Sequence, residues 1–205
     1  MRLTLRKWTA PWACHLLLAA GSCAVFEPLH EDSGVGDDGS ELAATMCSGA
    51  IKINEVDGAT TGSGSDREFI EIINTSDENV NVGGIHIARQ RGTGPDVGKA
   101  RAIPDGFILP PSGFLYVVAN QADAAEGLQF TGCVDTAPMP CLKVNWDINA
   151  DGESLYLLNR DRTEILCEVP YPRTVAPGDA WGRVPDGSNE FGAVRPTPGA
   201  PNRAP

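Results

Sequence analysis

From about residue 47 onward, short stretches that alternate apolar and polar positions are separated by turn-forming clusters. Ala50-Ile51-Lys52-Ile53-Asn54-Glu55-Val56 alternates with a period of two, the repeat of a half-buried strand. Arg67 to Ile73 is apolar on both faces, which predicts a strand central in its sheet. Phe114-Leu115-Tyr116-Val117-Val118-Ala119, aromatic and β-branched, carries the strongest strand signal in the chain. Shorter strands are predicted at 80–82, 85–88, 102–103, 107–109, 142–144, 154–158 and 163–169.

The breaks between them are equally legible. Residues 57–66 are rich in Gly, Ser and Thr, Asn74 to Asn79 reads as a turn, and Arg89 to Lys99 reads as a loop. Pro110-Pro111-Ser112-Gly113 is a sharp break, and 120–141 is a long insertion with one helical turn predicted at 121–126. From Pro170 the chain is rich in Pro and Gly. That segment is expected to cover the domain edge, with Trp181 and the tail Val194 to Asn202 packed there and the prolines blocking strand addition. Regularly spaced short strands of this kind predict an all-β sandwich or barrel.

Length refines the picture: 205 residues hold one such domain plus a leader and a linker. Residues 1–22 begin with Arg2, Arg6 and Lys7, continue into the apolar run around Leu16-Leu17-Leu18, and end in Ala20-Gly21-Ser22 before Cys23. That order is a secretory signal peptide, and small residues ending in Cys resemble a bacterial lipobox. Cleavage there leaves Cys23 to carry a lipid, so membrane contact is expected through the anchor alone. Ordinary cleavage nearby, giving a secreted product, is the alternative. Residues 23–46 carry six acids and no Lys or Arg, and read as an acidic flexible linker. The domain is expected to span 47–205.

Charge narrows the partners. The formal net charge is −11, and it reaches −14 once the three leader cations are gone. So acidic a surface repels nucleic-acid phosphates, which excludes DNA and RNA as expected ligands. A protein or an envelope polymer is expected instead.

Of the six cysteines, Cys14 leaves with the leader and Cys23 takes the lipid. Cys47, Cys133, Cys141 and Cys167 remain, an even number for an oxidising compartment. Cys133–Cys141 would close a short loop. Cys47–Cys167 is favoured by parity: Cys47, Gly49, Ile51 and Ile53 share one face of an extended chain, as do Ile165, Cys167 and Val169. Zinc is the rival reading, but no CxxC spacing occurs, and His30 and His86 have no ligand-like companions.

Several motifs occur in a fixed order: Ile53-Asn54-Glu55; Glu68-Phe69-Ile70-Glu71-Ile72-Ile73-Asn74; Gly83-Gly84-Ile85; Leu109-Pro110-Pro111-Ser112-Gly113; Asp151-Gly152-Glu153-Ser154-Leu155-Tyr156-Leu157; Gly182-Arg183-Val184-Pro185-Asp186-Gly187; and Thr197-Pro198-Gly199-Ala200-Pro201-Asn202. Together, over about 47–202, they resemble the lamin tail domain family. The resemblance implies an immunoglobulin-like β-sandwich, used for interaction in nuclear lamins and found on exported proteins in bacteria. This chain departs from it in the Cys-bearing insertion at 120–141 and in having no second domain in the sequence given.

Two residue sets invite chemistry. Glu55, Glu68 and Glu71 on neighbouring strands can share a proton or bind a metal; the plainer reading is that they accept loop backbone N–H bonds and close one end of the sandwich. Asp147-Ile148-Asn149-Ala150-Asp151-Gly152 follows the first half of a calcium loop, so Asp147, Asn149 and Asp151 are candidate calcium ligands. The twelfth position is Leu158 instead of a bidentate Glu, which favours an Asx-rich turn over a complete site. No nucleophile–base spacing, P-loop or G-x-S-x-G motif occurs. The expected function is therefore non-enzymatic: a lipoprotein of the bacterial cell envelope or surface displaying a binding or structural domain. A calcium-binding or metal-dependent accessory module of an extracellular hydrolase system is the alternative.

Overall fold

The alternating stretches become strands that close on one another. A computed structural model of the protein describes residues 47–58, 68–121 and 140–205, and these hold thirteen strands and no helix. The lipidation position Cys23, the linker, Cys133 and the helical turn expected at 121–126 lie wholly or largely outside the described residues.

One sheet has six strands in the order β13 (Phe191–Val194), β12 (Ala180–Arg183), β1 (Ile51–Asp57), β2 (Phe69–Asn74), β8 (Phe114–Val118) and β9 (Cys141–Lys143). All neighbours are antiparallel except β8 and β9. The second sheet runs β11 (Ile165–Tyr171), β10 (Glu153–Leu158), β4 (His86–Arg91) and β5 (Gly94–Pro95), with β6 (Arg101–Ala102) also on β4. A small pair, β3 (Val80–Asn81) with β7 (Ile108–Leu109), completes the set. This is the all-β, immunoglobulin-like sandwich that the motifs implied.

The core lies between the sheets. Ile53, Ile70, Ile72, Leu115 and Val117 come from the first, and Ile87, Leu155, Leu157, Cys167 and Val169 from the second. β2 is buried along its whole length, as its two apolar faces require: Ile70 and Ile72 enter the core, while Phe69 joins Tyr116, Val118 and Cys141 in a second cluster. Cys47 and Cys167 form a disulfide across 120 residues, so the start of the domain is stapled to β11. Such a bridge stabilises chiefly by restricting the unfolded chain, by roughly 2–4 kcal/mol. Cys141 is also disulfide-bonded.

Three expectations change. β4 runs to Arg91 and turns back into β5, where a loop was expected from Arg89 onward. The segment after Pro170 is more than an edge cover: it supplies β12 and β13, and β12 pairs directly with β1. Trp181 sits in β12 and stacks on Phe191, with centroids 6.1 Å apart. Finally, Ile165 does not share the buried face of Cys167. The β10–β11 register slips between Leu157 and Leu158, so Leu166 is an extra residue and Ile165 is left 43% exposed.

Candidate functional site

By simple alternation Glu55 would follow Ile51 and Ile53 into the core. A bulge prevents this. Ile53 faces Ile72 and Glu55 faces Glu71, so Asn54 is the extra residue that turns Glu55 to the outer face of the sheet and Val56 into the core. Glu71 reaches the same outer face because its neighbours Ile70 and Ile72 point inward. Two carboxylates therefore stand side by side, fully buried, in the middle of the six-stranded sheet.

The C-terminal tail covers them. Arg195 and Arg203 form a bridge, and the segment between them folds over the face of β1 and β2 as a strap. Glu55 Oε1 accepts the Thr197 N–H at 2.9 Å, and its Oε2 lies 3.0 Å from Thr197 Oγ1. Glu71 Oε2 accepts the Gly199 N–H at 2.6 Å; Gly199 holds φ +75°, a conformation that costs a residue without a Cβ little. Glu71 Oε1 accepts from Asn54 Nδ2 at 3.2 Å.

Asn54 ties in the turn after β12. Its Nδ2 also donates to Asp186 Oδ1 at 3.1 Å, and its Oδ1 accepts the Gly187 N–H at 3.0 Å. Asp186 Oδ1 in turn accepts the Asn202 N–H at 3.0 Å. Asn202 Nδ2 donates to the carbonyls of Arg183 (2.9 Å) and Asn54 (3.2 Å). This packing needs Gly182: a Cβ there would lie 2.7 Å from Asn202 Nδ2 and 2.9 Å from Val194 Cγ2.

Burial dominates the electrostatics. It pushes Glu55 up to about 7 and Glu71 up to about 8, against the hydrogen bonds from Thr197, Gly199 and Asn54 that pull them down. Arg183 is fully buried on the sandwich side of the same sheet. Its guanidinium donates to the carbonyls of Ile53 (2.7 Å) and Ser188 and to Cys47 Sγ (3.0 Å), and lies 4.4 Å from the Phe191 ring centroid. Desolvation lowers it to about 10. Every oxygen of Glu55 and Glu71 is thus engaged by the strap or by Asn54. The arrangement fastens three chain segments together and leaves no oxygen of either acid pointing into an open cleft.

Glu68 stands apart from these two. Its Oε2 accepts the Ile148 N–H at 2.8 Å, joining β2 to the loop that precedes β10. That loop contains the calcium-like residues, which do not converge. Asp147 Oδ1 pairs with Arg89 Nη1 at 2.6 Å, Asn149 Oδ1 accepts the Asp151 N–H at 3.0 Å, and Asp151 faces Arg173 at 3.5 Å. Glu153 Oε1 closes the loop by accepting the Asn149 N–H at 2.7 Å. Among the described residues no three His, Cys, Asp or Glu side chains gather as metal ligands do.

Between the end of β9 and the segment before β6 lies a cleft of about 230 Å³. Lys99, Arg101 and Lys143 line it with Asn145, and Trp146 forms a wall held by its Nε1–H on the Lys99 carbonyl at 3.2 Å. Among the described residues that line it, none is acidic.

Sequence reading marked Glu55 and Glu71 but missed the residues that complete their network: Asn54, Asp186, Thr197, Gly199 and Asn202. The signal was present as the motifs Ile53-Asn54-Glu55, Pro185-Asp186-Gly187 and Thr197 to Asn202, whose roles only become visible once they meet. A family model described as Lamin Tail Domain matches residues 44–172, more than half of the chain. No curated protein matches the sequence. The strands β12 and β13 and the strap lie beyond the matched span, yet they complete its sheet.

Proposed function

Because this chain belongs to the lamin tail domain family, an immunoglobulin-like and non-catalytic domain family, we propose that it is a non-enzymatic lipoprotein of the bacterial cell envelope. Lipidated at Cys23, it would hold the domain away from the membrane on the acidic segment 23–46 and display it to a protein or polymer. One observation carries the non-enzymatic reading. The buried acids with raised proton affinity, the groups from which an acid–base site would be built, are consumed in binding backbone N–H groups. The order of basic start, apolar run and small residues before Cys23 supports the anchor.

The cleft of Lys99, Arg101 and Lys143 favours a carboxylate-bearing partner, such as an acidic polymer or an acidic protein segment. Lys99, Arg101 and Lys143 place three cationic side chains along one cleft of a molecule whose net charge is −11. Exposed large apolar side chains among the described residues are only Val97, Ile108 and Ile165, so contact through polar groups is the better fit.

Two experiments test these readings separately. Cys23→Ser should shift the protein from the membrane fraction to the soluble one; unchanged membrane association would sink the lipoprotein reading. An oligogalacturonate and a polyglutamate peptide, titrated in low and in physiological salt, distinguish polymer from protein. Binding should weaken as salt rises and be lost in Lys99→Glu/Lys143→Glu. Equal binding by the double variant would remove the cleft as the site.

A further inference from the structure

The hydrogen inventory at the strap does not balance with Glu55 ionised. Asn202 is fixed in orientation, because its Nδ2 faces two carbonyl oxygens, those of Asn54 and Arg183, which can only accept. Its Oδ1 is therefore the atom 3.1 Å from Thr197 Oγ1. The same Thr197 hydroxyl lies 3.0 Å from Glu55 Oε2. A hydroxyl has one proton and can donate to one of these acceptors. With a carboxylate at Glu55, itself fully buried, the other contact would be oxygen against oxygen with no proton between.

The charges around the pair point the same way. Glu71 faces Glu55 from β2, Asp57 lies two residues along β1, and Asp186 approaches from the turn after β12. From β8, Tyr116 is the cross-strand partner of Glu71. Between Pro196 and Asn202 the strap carries no ionisable side chain; Arg195 and Arg203 flank it. The cations of β1 and β12 are engaged elsewhere: Lys52 Nζ donates to the Gly187 carbonyl at 2.6 Å, and Arg183 is held by carbonyls, Cys47 and Phe191. None of the ion pairs between described residues involves Glu55, Glu71 or Asp186.

We propose that Glu55 is protonated in the closed protein. The chain Glu55 Oε2–H to Thr197 Oγ1, and Thr197 Oγ1–H to Asn202 Oδ1, latches the C-terminal strap to the sheet, and loss of the Glu55 proton loosens it. The proton leaves to solvent and no other bond changes. An opened strap bares the acidic outer face of β1 and β2, so the domain presents one surface when the latch is protonated and another when it is not. The upward push on Glu55 from burial is consistent with this hydrogen inventory.

Glu55→Gln provides the decisive test on the full mature chain. The amide reproduces the protonated acid: its N–H can donate to Thr197 Oγ1 while its oxygen accepts the Thr197 N–H. Hydrogen-exchange protection of the C-terminal peptide, corrected for intrinsic rates, should fall about tenfold or more in the wild type between about pH 6 and about pH 9. In Glu55→Gln it should stay high throughout. If Glu55→Gln loses strap protection at every pH, the carboxylate itself is required and the latch is refuted. Wild-type protection that is flat with pH refutes it equally. Carbon NMR of the Glu55 carboxyl gives a reading that needs no variant. A protonated shift at about pH 6 supports the latch, and an ionised one overturns it.

Discussion

Two acidic clusters in this protein read alike in sequence and behave in opposite ways. Asp147, Asn149 and Asp151 form an exposed loop whose charges are met by arginines: Asp147 is 60% exposed beside Arg89, and Asp151 is 79% exposed beside an equally exposed Arg173. Glu55 and Glu71 are fully exposed to nothing but protein, and their partners are N–H and amide donors. In the loop, water screens each charge and the ion pairs are worth little. Under the strap, removal from water makes the neutral acid the better form and every missing hydrogen bond expensive. The lesson is that burial, more than residue type, decides whether a carboxylate is a solvated ornament or a structural fastener.

The sharpest way to break the comparison is pH. Both strap carboxylates are raised above their ordinary 4.5, so the folded protein keeps protons that the unfolded chain has released. Their contribution is complete below about 4.5 and is lost as pH rises toward about 7 for Glu55 and about 8 for Glu71. Each can remove at most about 1.4 kcal/mol per pH unit within its window. The melting temperature should therefore fall from about pH 5 to about pH 8, and Glu55→Gln/Glu71→Gln should flatten that fall. The difference between the two proteins isolates these groups from Glu68 and Glu153, also raised by burial, and from His86, which burial lowers.

Next in size is Asn202→Ala, which strips side-chain partners from two carbonyls and from Thr197 while leaving the backbone N–H on Asp186. Denaturant unfolding should register a loss of about 2–3 kcal/mol. Gly182→Ala attacks the same place from below, since its Cβ must displace Asn202 and Val194. A loss of about 1–3 kcal/mol is expected, and greater protease sensitivity should appear first in the C-terminal strap. The loop should barely respond. Asp151→Ala should cost less than about 0.5 kcal/mol, and added calcium should leave the melting temperature nearly unchanged. A calcium-induced rise of many degrees would overturn the contrast between the clusters.

Much of the fold was legible in particular residues. Alternation placed β1, β2 and β8, and the two-sided apolarity of β2 placed it between them. Parity paired Cys47 with Cys167. Legibility failed where a single extra residue reverses every face beyond it: Asn54 turns Glu55 outward, and Leu166 leaves Ile165 in solvent. It failed again at β12 and β13, whose Gly content reads as loop. Gly182 is a glycine for the sake of Asn202, twenty residues away, and local propensity cannot register that.

Sequence alone, then, determined the class of the domain, its family motifs, its central strands and the candidate acids. Those properties are local or periodic, and side-chain alternation with turn chemistry writes them directly into the chain. Tertiary structure alone decided what the acids do. Whether Glu55 is a charge or a proton-bearing latch depends on a bulge, on a strap 142 residues further along, and on the burial of the carboxyl beneath it. Those are properties of packing, and they exist only once distant segments have closed on one another.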